Sequence, residues 1–118
     1  MGPIDIECRY DGRDDKDGWT YDAWKVTLTY GDRQATIDYG MGTAHEGKEP
    51  TLDEVLYAIQ SDSRAGDDSF DEFCDAFGYD TDSRKAYADW EACKAQRKTV
   101  ARLFGRDFHK FMSEEYDA

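Results

Sequence analysis

The hydrophobic period of this chain changes once, near residue 50, and that change limits the possible folds more than any other feature. Trp24, Val26, Leu28 and Tyr30 alternate with Lys25, Thr27 and Thr29, the period of two that suits a half-buried strand. Gly31-Asp32 reads as a tight turn. Ala35, Ile37 and Tyr39 resume the alternation beyond it, so residues 24–39 read as a β-hairpin. Ile4, Ile6 and Cys8 alternate with Asp5 and Glu7 and predict a further short strand. Residues 11–18 are charged and contain glycine, and they read as a loop, as do residues 40–50.

Beyond Thr51 the period becomes helical. Leu52, Val55, Leu56 and Ile59 share one face, and Thr51-x-x-Glu54 is a capping box in front of them. Gly66 reads as a break. Ser69-x-x-Glu72 is a second capping box, followed by the stripe Phe70, Phe73, Cys74, Phe77 and by Gly78 as a helix stop. A long helix is expected over about residues 81–104. Ala86, Trp90, Cys93, Val100 and Phe104 form its apolar face, and Arg97 interrupts it. Gly105 ends it, and Phe108, Phe111 and Met112 predict a last short helix. The sum is an α+β class: one domain over residues 1–118, a small antiparallel sheet followed by three to four helices. At this length a folded chain buries roughly two-thirds of its unfolded surface. Aromatics at 14% supply the anchors for that core.

Charge restricts the partners. The chain carries 27 acidic and 15 basic residues, net −12. Residues 53–91 hold twelve acids against three bases, whereas residues 92–111 hold one acid and six bases. A folded surface of this sign repels nucleic acid and anionic membranes and attracts basic protein surfaces. No apolar run approaches the ~18 residues of a membrane span, and no N-terminal run has the character of a signal peptide. Three cysteines without C-x-x-C spacing point to a reducing, cytoplasmic setting in which each is a small buried hydrophobe.

Catalytic and metal motifs are weak. Asp15-x-Asp17-Gly18 matches the middle of a calcium loop, but Arg13 and Trp24 would occupy its first and twelfth positions. His45 and His109 have no cysteine or histidine partner at zinc spacing. His45 could serve as a base, but no nucleophile has a recognisable setting beside it. Gly40-Met41-Gly42 follows a strand without the Lys-Ser/Thr of a phosphate loop. No enzyme activity, cofactor or metal is expected. The candidate site is a partner-binding carboxylate face made of Asp67, Asp68, Asp71, Glu72, Asp75, Asp80 and Asp82. Displayed carboxylates can imitate nucleic-acid phosphates and occupy a basic groove. Dipole matching at helix starts accounts for Glu54, Asp71, Glu72 and Asp82 without a partner. It leaves the other exposed acids unexplained. Phe70, Phe73 and Phe77 are expected beneath this face. Lys94, Lys98 and Arg102 form a basic stripe, read as cations suited to a helix C-terminal half.

The run Phe70-Asp-Glu-Phe-Cys-Asp-Ala-Phe-Gly-Tyr-Asp-Thr-Asp-Ser-Arg-Lys-Ala86, with Pro50-Thr-Leu-Asp-Glu-Val-Leu56 upstream, resembles a widespread group of small proteins encoded by phages, prophages and plasmids. The Gly40–His45 loop and Cys93 look like parts of the same pattern, although members often carry Gly-His-Arg where this chain has Ala44-His45-Glu46. The resemblance covers roughly residues 24–105. It implies an inhibitor of a host defence system, with an anti-CRISPR protein as the leading case, acting in the cytoplasm of a bacterial host. Its partner would be a host protein with a basic nucleic-acid-binding surface, such as a CRISPR effector subunit, with no direct nucleic-acid or membrane binding. The alternative is an accessory of phage replication or gene expression that contacts nucleic acid or a host protein. In packing terms the motif predicts a corner: Gly78 ends one helix, Tyr79 folds back over Phe73 or Cys74, and Asp80 or Thr81 caps the next.

Overall fold

The computed structural model describes residues 1–16, 18–42 and 47–116. Three antiparallel strands form a meander in the order β1 (Ile4–Lys16), β2 (Trp19–Tyr30), β3 (Arg33–Gly42). Val26 pairs with Cys8 on one side and Ile37 on the other, so the predicted hairpin and N-terminal strand form one sheet. Alternation along β2 buries Asp22, Trp24, Val26 and Leu28 on one face, which the helices cover.

The first hairpin is longer than expected. Residues 11–16 are not a loop but the second half of β1, paired through Lys16↔Trp19. Register shifts between Tyr10 and Gly12, so Asp11 is the extra residue of a bulge. Ladder hydrogen bonds come from the backbone and need no apolar side chain. A charged extension of this kind therefore lacks the periodic signal that marks a half-buried strand. The second hairpin likewise runs on to Tyr21↔Gly42.

Both predicted capping boxes form. Thr51 opens α1 (Leu52–Asp67), and Ser69 opens α2 (Phe70–Phe77). The long helix α3 (Arg84–Phe104) begins later than expected. Ser83 caps it, accepting from the Ala86 N–H at 3.2 Å, in place of Asp80 or Thr81. A 3-10 turn (Gly105–Asp107) leads into the six-residue α4 (Phe108–Ser113). Val55 and Ile59 of α1, Val100 and Phe104 of α3, and Phe111 of α4 close the core over Val26 and Leu28. Phe104 stacks on Phe111 at 4.3 Å and meets the edge of Tyr30 at 5.1 Å. Among the described residues no helix is long and apolar enough to cross a membrane.

Gly66 does not break α1. It lies inside the last turn, where α1 touches α3. A Cβ there would lie 2.5 Å from the Cys93 carbonyl oxygen and 2.9 Å from the Lys94 nitrogen. Arg97 is explained by the same approach. Its Nη1 donates to the Ser63 carbonyl at 2.9 Å, its Nη2 lies 3.5 Å from Asp67 Oδ1, and the guanidinium covers the Phe108 ring at 5.1 Å.

Two predictions follow from this packing. Gly66→Ala forces two backbones apart and should cost about 1–3 kcal/mol, the usual range for overpacking. A denaturation midpoint equal to the parent's would show that the contact does not bear on stability. The second concerns Tyr30, whose hydroxyl donates to Asp107 Oδ2 at 2.6 Å. That bond holds the Asp107 carboxyl below its usual range and raises the Tyr30 phenol. A depressed carboxyl stabilises the fold above its unfolded pKa of about 4, and this is lost as pH falls through the lower folded value. A raised phenol stabilises below about pH 10, and this is lost as pH rises through the higher folded value. Tyr30→Phe keeps the contact with Phe104 and should flatten the loss of stability at both ends of a pH titration of unfolding. Unchanged slopes would rule the bond out as their source.

Candidate partner-binding surface

The corner between α2 and α3 is built from aromatic rings and caps. Ser69 N–H donates to Glu72 Oε1 at 3.0 Å, and Glu72 N–H donates to Ser69 Oγ at 3.2 Å. The first of these bonds, with help from the Ser69 hydroxyl, holds the Glu72 carboxyl below its usual range. Gly78 stops α2 in the left-handed region, at φ 72°. Tyr79 then stacks on Phe73 at 6.1 Å, as the motif predicted, and donates to Asp89 Oδ2 at 3.2 Å. On the other flank Phe70 meets Tyr87 at 5.4 Å and Trp90 at 5.3 Å. Trp90 Nε1 donates to the Asp68 carbonyl at 3.0 Å and pins the α1–α2 link to α3.

This scaffold divides the seven predicted site residues. Asp67 is exposed but faces Arg97, Asp68 is half-buried, and Glu72 serves its own helix cap. Asp71, Asp75, Asp80 and Asp82 are exposed and have no ion-pair partner among the described residues. These four remain available to another molecule.

One expectation is corrected. Phe77 does not lie beneath the carboxylates. It is 58% exposed, and Tyr87 is 52% exposed. Helix α2 has only two turns, and Phe77 in its last one has Phe73, at 4.8 Å, as its one ring partner among the described residues. Tyr87 was missed because it follows the buried Ala86 at the rim of the apolar stripe, where periodicity does not separate core from surface. The acidic corner therefore also shows two large rings to solvent.

The other candidates are not drawn together. Asp15 lies within β1, where it accepts from Thr20, and Trp24, the would-be twelfth ligand, is in the core. Asp17 and His45, with the rest of residues 43–46, lie outside the described residues. His109 is exposed on α4. No group of three or more His, Cys, Asp or Glu able to hold a metal occurs among the described residues. In the basic stripe, Lys94 is committed to the Trp90 ring at 4.3 Å and to Glu91 at 3.7 Å, whereas Lys98 and Arg102 are exposed.

Asp38, Asp62 and Asp89 surround Cys93 in a shallow groove. Burial, with help from Asp62 and Asp89, pushes the thiol up to about 11. Burial raises Cys8 and Cys74 too. All three thiols are therefore protonated at neutral pH and poor nucleophiles. In the folded protein at pH 7.5, DTNB should react with them at least about tenfold more slowly than with a free thiol. Three equivalents should react promptly after unfolding in guanidinium. A fast equivalent in the folded state would contradict this electrostatic reading.

No protein-family model, curated protein sequence or solved structure matches this chain. Its class therefore rests on its own architecture, an α+β arrangement whose acidic α2–α3 corner also exposes two aromatic rings.

Proposed function

We propose that the protein is a non-enzymatic inhibitor that binds a basic, nucleic-acid-binding protein through the α2–α3 corner and blocks its access to DNA. The observation that carries this reading is that Asp71, Asp75, Asp80 and Asp82 are exposed, with no ion-pair partner among the described residues, on a corner held by packed rings and two side-chain caps. Carboxylates mounted this way stand where a basic groove expects phosphates, and little conformational entropy is lost when they dock. Phe77 and Tyr87 add the kind of exposed aromatic anchor that carries binding energy in protein interfaces. The resemblance of the Phe70–Ala86 run to proteins of phages and other mobile elements favours a host defence complex as target, with a CRISPR effector first among them. The setting is then the bacterial cytoplasm.

The test begins with affinity capture from a bacterial lysate at low and high salt. The captured protein is identified, and its DNA affinity is measured with and without this chain. The parent should compete with DNA, and association should slow as salt screens the steering charges. Replacing Asp71, Asp75, Asp80 and Asp82 by Lys should weaken binding at least about 100-fold while leaving the circular dichroism spectrum intact, and Tyr87→Ala alone about tenfold. A charge-reversed variant that binds and competes like the parent would end the mimicry proposal.

A further inference from the structure

A groove at the opposite end of α3 has the reverse character. Arg33, Gln34 and Ala35 at the start of β3 form one wall, and Thr99, Arg102 and Leu103 form the other, around about 350 Å³. Four other grooves on the described surface each have at least one carboxylate in the wall. This one has none, in a chain where acids outnumber bases 27 to 15.

Both guanidiniums are exposed, and neither has an ion-pair partner among the described residues. The neighbouring carboxylate on the turn after α3, Asp107, is engaged by the Tyr30 hydroxyl at 2.6 Å and by Lys110 at 3.9 Å. Arg33 also lies against the backbone at the end of α3. A Cβ on Gly105, which sits at φ +56°, would lie 2.2 Å from Arg33 Nη1 and 2.9 Å from its Cζ. In this arrangement the guanidinium packs into the space beside the Gly105 hydrogen. A cation near a helix C-terminus is favoured by the dipole, which accounts for one arginine. It does not account for two around a single hollow that Ala35 and the buried Leu103 also line.

We propose that this groove binds a small molecule carrying a carboxylate or phosphate group. Arginine presents a planar fork of donors that matches either oxyanion. Gln34 gives one amide hydrogen to Thr29 Oγ1 at 3.2 Å and keeps a second for the ligand. Thr99 donates to the Ala95 carbonyl at 3.2 Å, so its hydroxyl can only accept. Recognition falls to Arg33, Arg102 and Gln34, with Ala35 and Leu103 receiving a short apolar portion. The volume lies at the small end of ligand pockets, about 300–1,000 Å³. This site is independent of the acidic corner and stands or falls separately from it.

The experiment is an amide NMR titration of the labelled full chain with sodium phosphate, sodium acetate and sodium chloride at matched ionic strength and pH 7. Saturable shifts confined to residues 33–35 and 99–106, produced by phosphate or acetate but not by chloride, are expected. The anion that saturates identifies which oxyanion the groove prefers. Arg102→Gln should weaken that binding at least tenfold, and Arg84→Gln, at the far end of α3, should leave it unchanged. Arg102 is exposed, so the variant is expected to fold, and the dispersion of its spectrum checks this directly. Non-saturating changes shared by all three salts would overturn the proposal. So would saturation by a single-stranded oligonucleotide with no response to either small anion.

Discussion

The contact between α1 and α3 at Gly66 is the constraint on which the rest of the molecule depends. Where the side chain is a hydrogen, two helix backbones can meet, and the Cys93 carbonyl and Lys94 nitrogen take up the vacant space. That approach brings Arg97 within reach of the Ser63 carbonyl and Asp67, and brings Trp90 within reach of the Asp68 carbonyl. Both bonds end on the last turn of α1 or the link after it. They therefore fix where the chain turns into α2. The orientation of the acidic corner is set by a packing distance between two backbones, not by the acids themselves.

Charge is distributed with the same logic. Some carboxylates serve the fold: Glu54 and Glu72 complete capping boxes, Asp67 faces Arg97, Asp89 receives Tyr79 and Lys85, and Asp107 holds Tyr30. Other charges stay exposed, and two groups of them matter for binding. Four aspartates on the α2–α3 corner and two arginines at the far end of α3 are exposed and have no ion-pair partner among the described residues. Helix α3 thus separates an acidic end from a basic one. Its own dipole favours the cations at the C-terminal end. Strong net charge coexists with a folded chain because aromatic contacts staple it, Phe104–Phe111 in the core and Phe70–Trp90 at the α2–α3 corner.

Much of the architecture was legible in the residues. The change of period at residue 50 separates sheet from helices, and both capping boxes formed where the Thr-x-x-Glu and Ser-x-x-Glu spacings placed them. Three features were not legible, for distinct reasons. Residues 11–16 extend β1 with charged side chains, so no alternation marks them. Asp80, Thr81, Asp82 and Ser83 are all of capping type, and only the turn closed by Ser83 N–H on the Asp80 carbonyl selects Ser83. Gly66 has the same letter whether it ends a helix or admits a neighbouring one, and only the presence of Cys93 across the contact distinguishes the two.

The candidate site divides in the same way. Sequence alone determined that the chain is acidic, that its acids concentrate between α1 and the start of α3, and that a stripe of rings runs along α2. Those facts follow from composition and local period, and they hold in any fold with these helices. The tertiary structure decided which acids are engaged within the fold, moved Phe77 from beneath the carboxylates to the surface, and exposed Tyr87 beside it. It also joined Arg33 to Arg102 across sixty-nine positions of chain. Exposure and ion pairing depend on what a neighbouring element covers, and that is settled by long-range packing that no local spacing records.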